Sequence, residues 1–325
     1  MAKFTFITHK NTDPYFNIAS EEYLLKQKDG FYVYLWRNAP SVIVGVNQNT
    51  LQEINFNYTA EKGIKIVRRQ TGGGAVYHDE NNVCFTIIAP YDAEIDGFKA
   101  CSEPVLDCLN KMGVKAEFSG RNDITIDGKK ISGNAETVYK DRVLHHGTLL
   151  FNTDMGELTK SLKVNKLKIE SKGIKSVRKR VTNIYDELEN KISVNEFMNN
   201  LIEYFIDYCD GVYEFSEIDI ENINKLVKEK YSTYEWNIGY SPKGKISFNE
   251  KFPFGIFNLT FDLVDGKIKN PEIFGDFFTI KDISEFSKSL EGVKFIKSEL
   301  LKAFSNIGDY IVKAKFCEIV EKLYF

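Results

Sequence analysis

The stretch Arg68-Arg69-Gln70-Thr71-Gly72-Gly73-Gly74-Ala75-Val76-Tyr77-His78 lies between two strand-like runs, Ile64-Lys65-Ile66-Val67 before it and Val83-Cys84-Phe85-Thr86-Ile87-Ile88 after it. Three consecutive glycines between strands let the backbone take positive φ and admit a ligand close to the amides, so a run of N–H groups can converge on an anion. Two arginines at the mouth of the loop add positive charge. Taken alone, the glycines also suit an ordinary hairpin loop. Two generic nucleotide-binding patterns are excluded: no G-x-G-x-x-G opens a helix here, and no Gly-Lys-Ser/Thr follows.

Upstream, residues 3–8 alternate like a strand, and Asp13-Pro14 supplies an N-cap followed by proline in the first helical turn. Phe16, Ala19, Ser20, Tyr23 and Leu24 recur at helical spacing, which predicts a helix to about residue 27 with a core-facing stripe. Residues 31–36 and 41–46 read as strands separated by Asn38-Ala39-Pro40, and the polar cluster Gly45-Val46-Asn47-Gln48-Asn49 ends the second as a turn. Residues 97–112 predict a helix with Cys101, Val105, Cys108, Leu109 and Met112 on one face.

A second informative stretch runs from Asn122 to Ala135. Asn122-Asp123-Ile124-Thr125-Ile126 alternates, Asp127-Gly128 is a two-residue turn signal, and Lys129-Lys130-Ile131-Ser132-Gly133-Asn134-Ala135 returns. With that turn, Ile126 faces Lys129, Thr125 faces Lys130 and Asp123 faces Ser132. Asp123, Thr125, Lys130 and Ser132 are then expected on one face of the hairpin, with Asp123 and Lys130 as diagonal neighbours. Further on, His145-His146-Gly147-Thr148-Leu149-Leu150 reads as a buried strand, and its adjacent histidines point to opposite faces, which argues against a shared metal.

Together these strings resemble lipoate-protein ligases of the A family. The pattern Arg-Arg-x-Thr-Gly-Gly-Gly-Ala-Val-Tyr-His-Asp, continuing to Asn82-Val83-Cys84-Phe85-Thr86, is similar to that family's lipoate- and nucleotide-binding loop. Lys130 occupies the lysine of its Lys-x-Ser-Gly-x-Ala pattern, and His-His-Gly-Thr-Leu-Leu is another of its recurrent strings. The resemblance implies activation of lipoate by ATP and Mg²⁺ to lipoyl-AMP, followed by transfer to a lysine of lipoyl-carrier domains, such as E2 subunits of 2-oxoacid dehydrogenases or glycine cleavage H protein. It implies Lys130 as the catalytic residue, contacting lipoyl carboxyl and phosphate. ATP and lipoate binding fall to Asn47, Arg69, Gly72, Gly73, Gly74, Ala75, Val76, Tyr77, His78, Lys130, Gly133, His146 and Gly147. Residues 171–183 resemble the family's adenylate-binding loop, which adds Lys172, Ser176 and Arg178. Asp123, with Asn122, is the expected Mg²⁺ contact.

The resemblance also implies an α/β (α+β) architecture: a biotin/lipoate ligase-like catalytic domain over residues 1–245, with mixed sheets flanked by helices. Helices are expected near 193–209 and 217–231, and residues 234–244 carry the turn chemistry of a boundary. Beyond it, a hairpin about Asp265-Gly266 and two or three helices make a small α+β accessory domain over 246–325.

Composition is that of a globular protein: 325 residues, 43% hydrophobic and 27% charged. A net charge of -3 argues against a dedicated nucleic-acid binder, although residues 160–180 carry nine Lys or Arg against one acid, Glu170. No apolar run reaches the ~18 residues of a membrane span, and the amino-terminal residues lack a signal-peptide core, so a cytoplasmic protein is expected. Cysteines 84, 101, 108, 209 and 317 are scattered, which suits reduced thiols. Two alternatives stay open: an octanoyl or lipoyl transferase of the same fold working through a cysteine acyl-enzyme, and a non-catalytic module that binds carrier domains.

Overall fold

The computed structural model describes residues 3–92, 94, 97–119, 122–162, 181–240 and 245–324. Strand β1 (Phe4–Thr8) leads to the helix Pro14–Lys26, whose start is set as expected: the Asp13 carboxylate accepts from the Tyr15 N–H, and Pro14 fills a position that needs no donor. That helix is buried almost all round, and its interior holds two carboxylates, Glu21 and Glu22. Glu22 is met by Lys26 and Lys230 and by the Tyr231 hydroxyl.

The main sheet has eight strands in the order β11-β1-β2-β6-β10-β9-β8-β7. Its members besides β1 are β2 (Phe31–Arg37), β6 (Asn82–Pro90), β7 (Glu117–Ser119), β8 (Asp123–Ile126), β9 (Lys129–Tyr139), β10 (Arg142–Leu150) and β11 (Gly211–Glu214). β1 runs parallel to both β2 and β11, and every other pairing in this sheet is antiparallel. Side chains alternate across it, so each strand feeds two cores. Val33, Leu35, Phe85 and Ile87 pack on one face against the helices Gly97–Lys111 and Val194–Ile206. Tyr34, Trp36, Cys84 and Ile88 pack on the other against Pro14–Lys26.

The glycine stretch belongs to a separate small sheet, β4-β3-β5, formed by β3 (Ser41–Val44), β4 (Lys65–Arg68) and β5 (Val76–His78). The third sheet, β12 (Lys245–Phe252), β13 (Gly255–Val264) and β14 (Lys267–Gly275), carries the helices Ile283–Ser289, Lys297–Phe304 and Phe316–Leu323. It has one strand more than the expected hairpin. The third sheet shares its apolar core with the small one: Val42, Val44 and Tyr77 belong to the same cluster as Phe257, Phe261 and Phe304.

Residues 235–239 form a π-helical turn. Its backbone groups are taken by Arg68, whose Nε donates to the Trp236 carbonyl while the Trp236 indole N–H donates back to the Arg68 carbonyl. The short elements β7, β11, Thr50–Glu53 and Phe56–Glu61 were not foreseen, because three to six residues are too few for a period to show.

Candidate active site

Where the β4–β5 loop meets β8, β9 and β10, a cavity of about 180 Å³ opens. The loop lines it with Arg69, Gly73, Gly74, Ala75, Val76 and His78; the hairpin contributes Asn122, Lys130 and Gly133; β10 contributes His146 and Gly147. Residues remote in sequence thus line one cavity. Tyr77 does not line the cavity. It stands between Val76 and His78 on a strand, so its side chain goes to the opposite face and packs with Val42 and Val44. Asn47 is exposed in the turn after β3 and does not line the cavity, and Gly72 contributes a carbonyl to Arg69 without lining the space. Lys172, Ser176 and Arg178 lie outside the described residues. The described chain resumes beside the site, where the Thr182 N–H donates to the Lys130 carbonyl.

The hairpin pairs Ile126 with Lys129 and Thr125 with Lys130 as the turn dictates, but a bulge then leaves Ile131 unopposed. Asp123 consequently faces Gly133, and Ser132 faces Ile124 and is fully buried; the expected Asp123–Ser132 pairing and shared face are corrected accordingly. Lys130 Nζ lies 2.7 Å from Asp123 Oδ1. The ammonium passes over Gly133, where a Cβ would come within 2.8 Å of Nζ. Asn122 is a clamp on the hairpin: its Nδ2 donates to the Asn134 carbonyl, and its own carbonyl accepts from the Asn134 N–H and Nδ2.

Both arginines expected to bring charge are deeply committed. Arg68 Nη1 donates to the carbonyls of Gly45, Val46 and Gln48. Arg69, 5% exposed, donates from Nε to Thr71 Oγ1 (2.9 Å) and from Nη1 to the Ile43 carbonyl (3.1 Å). Its Nη2 donates to the carbonyls of Gly72 (2.6 Å) and Gly74 (3.0 Å). Burial lowers both to about 10, so both remain charged at neutral pH. Because the peptides are trans, carbonyls turned to Arg69 send the N–H groups of Gly73 and Ala75 the other way. Arg69 therefore shapes the amide cradle. The turn also needs Gly45, where a Cβ would fall 2.1 Å from the Gly73 carbonyl oxygen, and Gly73 itself has φ +94°.

Burial, reinforced by Arg69 and His146, pushes His78 down to about 3, so its ring is neutral. Nδ1 faces the Asn38 amide nitrogen at 3.1 Å and acts as acceptor, which puts the proton on Nε2. That Nε2 is buried with no partner among the described residues, an orphan donor at the cavity wall that suits a polar group of a bound molecule. Ile18, Trp36, Ile43 and Cys84 supply the apolar wall and were not foreseen as site residues, because each also satisfies a core pattern. Burial, with Glu21 nearby, holds the Cys84 thiol well above the usual range. Among the described residues no three His, Cys, Asp or Glu cluster to cage a metal, and no helix is long and apolar enough to cross a membrane.

Residues 13–206 match the lipoyl protein ligase A/B catalytic domain, and residues 241–323 match the bacterial lipoate protein ligase C-terminus. The lipoate-protein ligase LplJ of Bacillus subtilis is 42% identical, covering 97% of this chain and 99% of its own. Among solved structures, the bi-partite lipoate protein ligase of Thermoplasma acidophilum, described with its E2 lipoyl domain, has a TM-score of 0.66 at 30% identity, covering 75% of this chain and 99% of that one. A lipoate-protein ligase A bound with ATP has a TM-score of 0.64 at 28% identity, covering 73% and 99%. The chain belongs to the lipoyl protein ligase A/B family and is a lipoate-protein ligase.

Proposed function

We propose that the cavity between the glycine loop and the 122–135 hairpin activates lipoate with ATP as lipoyl-AMP, and that the lipoyl group then passes to a lysine of a lipoyl-carrier domain. The observation that carries this reading is Lys130: its ammonium stands at the cavity wall opposite the glycine loop, held by Asp123 and passing over Gly133. Adenylation brings a carboxylate against an anionic α-phosphorus, so the site must offset repulsion and the charge that develops during displacement of pyrophosphate. Lys130 supplies the movable cation. The amides of the Arg69-shaped loop and the orphan Nε2–H of His78 supply fixed donors. Opening the Lys130–Asp123 pair costs little, since both side chains are more than one-third exposed and such pairs contribute about 0–1 kcal/mol.

Mg²⁺ bound through nucleotide phosphates needs only one or two protein carboxylates, and Asp123 is the carboxylate paired with Lys130. When bound there, the ion would neutralise phosphate charge. Transfer from the mixed anhydride requires no enzyme nucleophile, in keeping with the buried thiol of Cys84. E2 subunits and glycine cleavage H protein are the carriers we assign by family. The five free cysteines suit the reducing cytoplasm.

The test is incubation with lipoate, ATP and Mg²⁺, with and without an E2 lipoyl domain or H protein, reading adenylate and acylated lysine by mass. Pyrophosphate release with free lipoate supports the reading. Carrier acylation that proceeds without ATP overturns it.

A further inference from the structure

A buried series of hydrogen bonds runs through the cavity wall and converges on Glu21. Trp36 Nε1 is a donor only, and gives to Thr86 Oγ1 at 2.9 Å; the Thr86 hydroxyl must then donate onward, to Glu21 Oε1 at 2.7 Å. From the other side, Arg69 Nε, also a donor only, gives to Thr71 Oγ1, whose hydroxyl faces His146 Nε2 at 2.8 Å. His146 Nδ1 lies 2.8 and 3.0 Å from the two oxygens of Glu21. A carboxylate only accepts, so Nδ1 carries a proton, and in the neutral imidazole Nε2 then accepts from Thr71. Both arms end on Glu21, which is 2% exposed and lies in the interior of the helix Pro14–Lys26.

We propose that Glu21 is a positioning residue for the glycine loop, acting through His146 and Thr71 to orient Arg69, whose Nη2 turns the Gly72 and Gly74 carbonyls and so aims the neighbouring amides. The same carboxylate, through Thr86, orients Trp36 on the apolar wall. One buried charge thereby sets both the polar and the apolar sides of the cavity. Glu21 also offsets the charge of buried Arg69. The proposal deepens the reading of this cavity as a lipoate site and rests on it for its consequence in binding.

Glu21→Leu separates the two. It removes both acceptor oxygens, so the Nδ1 proton of His146 loses its acceptor and the ring shifts to the Nε2–H tautomer and donates to Thr71. Nitrogen-15 spectra of the full chain should therefore show His146 as Nδ1–H in the wild type and Nε2–H in Glu21→Leu. An unchanged tautomer in the folded variant overturns the relay, whether or not the protein binds lipoate. Thr71→Val keeps size and removes the hydroxyl, whereas Thr71→Ser keeps it. Thr71→Val should weaken lipoate binding by calorimetry about tenfold, the scale of one lost hydrogen bond, and Thr71→Ser should restore it. Equal affinity for Val and Ser, at matched melting temperature, overturns the positioning role; loss in both variants equally does so too. If Glu21→Leu fails to fold, the Thr71 pair still decides.

Discussion

Lys130 Nζ sits 2.7 Å from Asp123 Oδ1 although Asp123 faces Gly133, and not Lys130, across the hairpin. The bulge at Ile131 and the missing side chain of Gly133 make that approach possible. A charged lysine is thereby held at the cavity wall without being buried, available to a substrate that displaces Asp123.

Removal of that cation should be felt in the chemical step. Lys130→Ala is expected to lower the rate of adenylate formation about 10²–10³-fold, about 3–4 kcal/mol by analogy with loss of one transition-state donor. Single-turnover pyrophosphate release measures it; near wild-type turnover would remove Lys130 from the chemistry.

Gly45 tests the shape of the loop. A Cβ there meets the Gly73 carbonyl oxygen at 2.1 Å, and backbone cannot yield as a side-chain end does. Gly45→Ala should cost about 1–3 kcal/mol of stability through overpacking and raise the KM for lipoate. A variant that melts and binds like wild type would show that the two loops do not need this contact.

Asp219 tests stability far from the site. Burial pushes its carboxyl up, but hydrogen bonds from Lys28 (2.8 Å), Tyr213 (2.5 Å), Tyr23 (2.6 Å) and Ser216 outweigh it and hold the group well below the usual carboxylate range. A depressed carboxyl contributes stability that is present above its unfolded value, near about 3.9, and is lost as pH falls toward its folded value. Asp219→Asn should cost about 3 kcal/mol at pH 7 and flatten the acid limb of stability below about pH 4. Urea titrations from neutral pH down through that limb read both effects.

The thiols distinguish a ligase from a cysteine-dependent transferase. Burial raises Cys101 to about 12 and Cys108 and Cys209 to about 11, and lifts Cys84 further, while Cys317 is exposed. Iodoacetamide at mildly alkaline pH should add one carbamidomethyl group, at Cys317, and leave lipoylation unchanged. A lipoyl thioester on any cysteine during turnover would identify a transferase instead.

Elements with a long period or a strong cap were legible in the chain alone. Asp13-Pro14 marked the first helix, Asp127-Gly128 and Asp265-Gly266 marked two hairpins, and Cys101, Val105, Cys108 and Leu109 marked a buried helix face. The loop 68–78 and Lys130 stand out as the places to look through the family strings they carry, since the glycines alone equally suit a hairpin loop. Short strands such as β7 and β11 carried no period to read, and Tyr77 shows that membership of a motif does not tell which face a side chain takes.

The amino-acid sequence by itself determined the ligase family, the glycine loop and the lysine that faces it, since local propensity and motif chemistry are written in neighbouring residues. What each charge does was decided only by tertiary structure. Arg68 and Arg69 look alike in the chain, but folding surrounds both with backbone carbonyls, and a guanidinium taken out of water must direct its donors to whatever acceptors burial provides. Glu21 looks like one carboxylate of a helix; only the meeting of β6, β10 and the glycine loop makes it the acceptor on which the wall of the cavity converges.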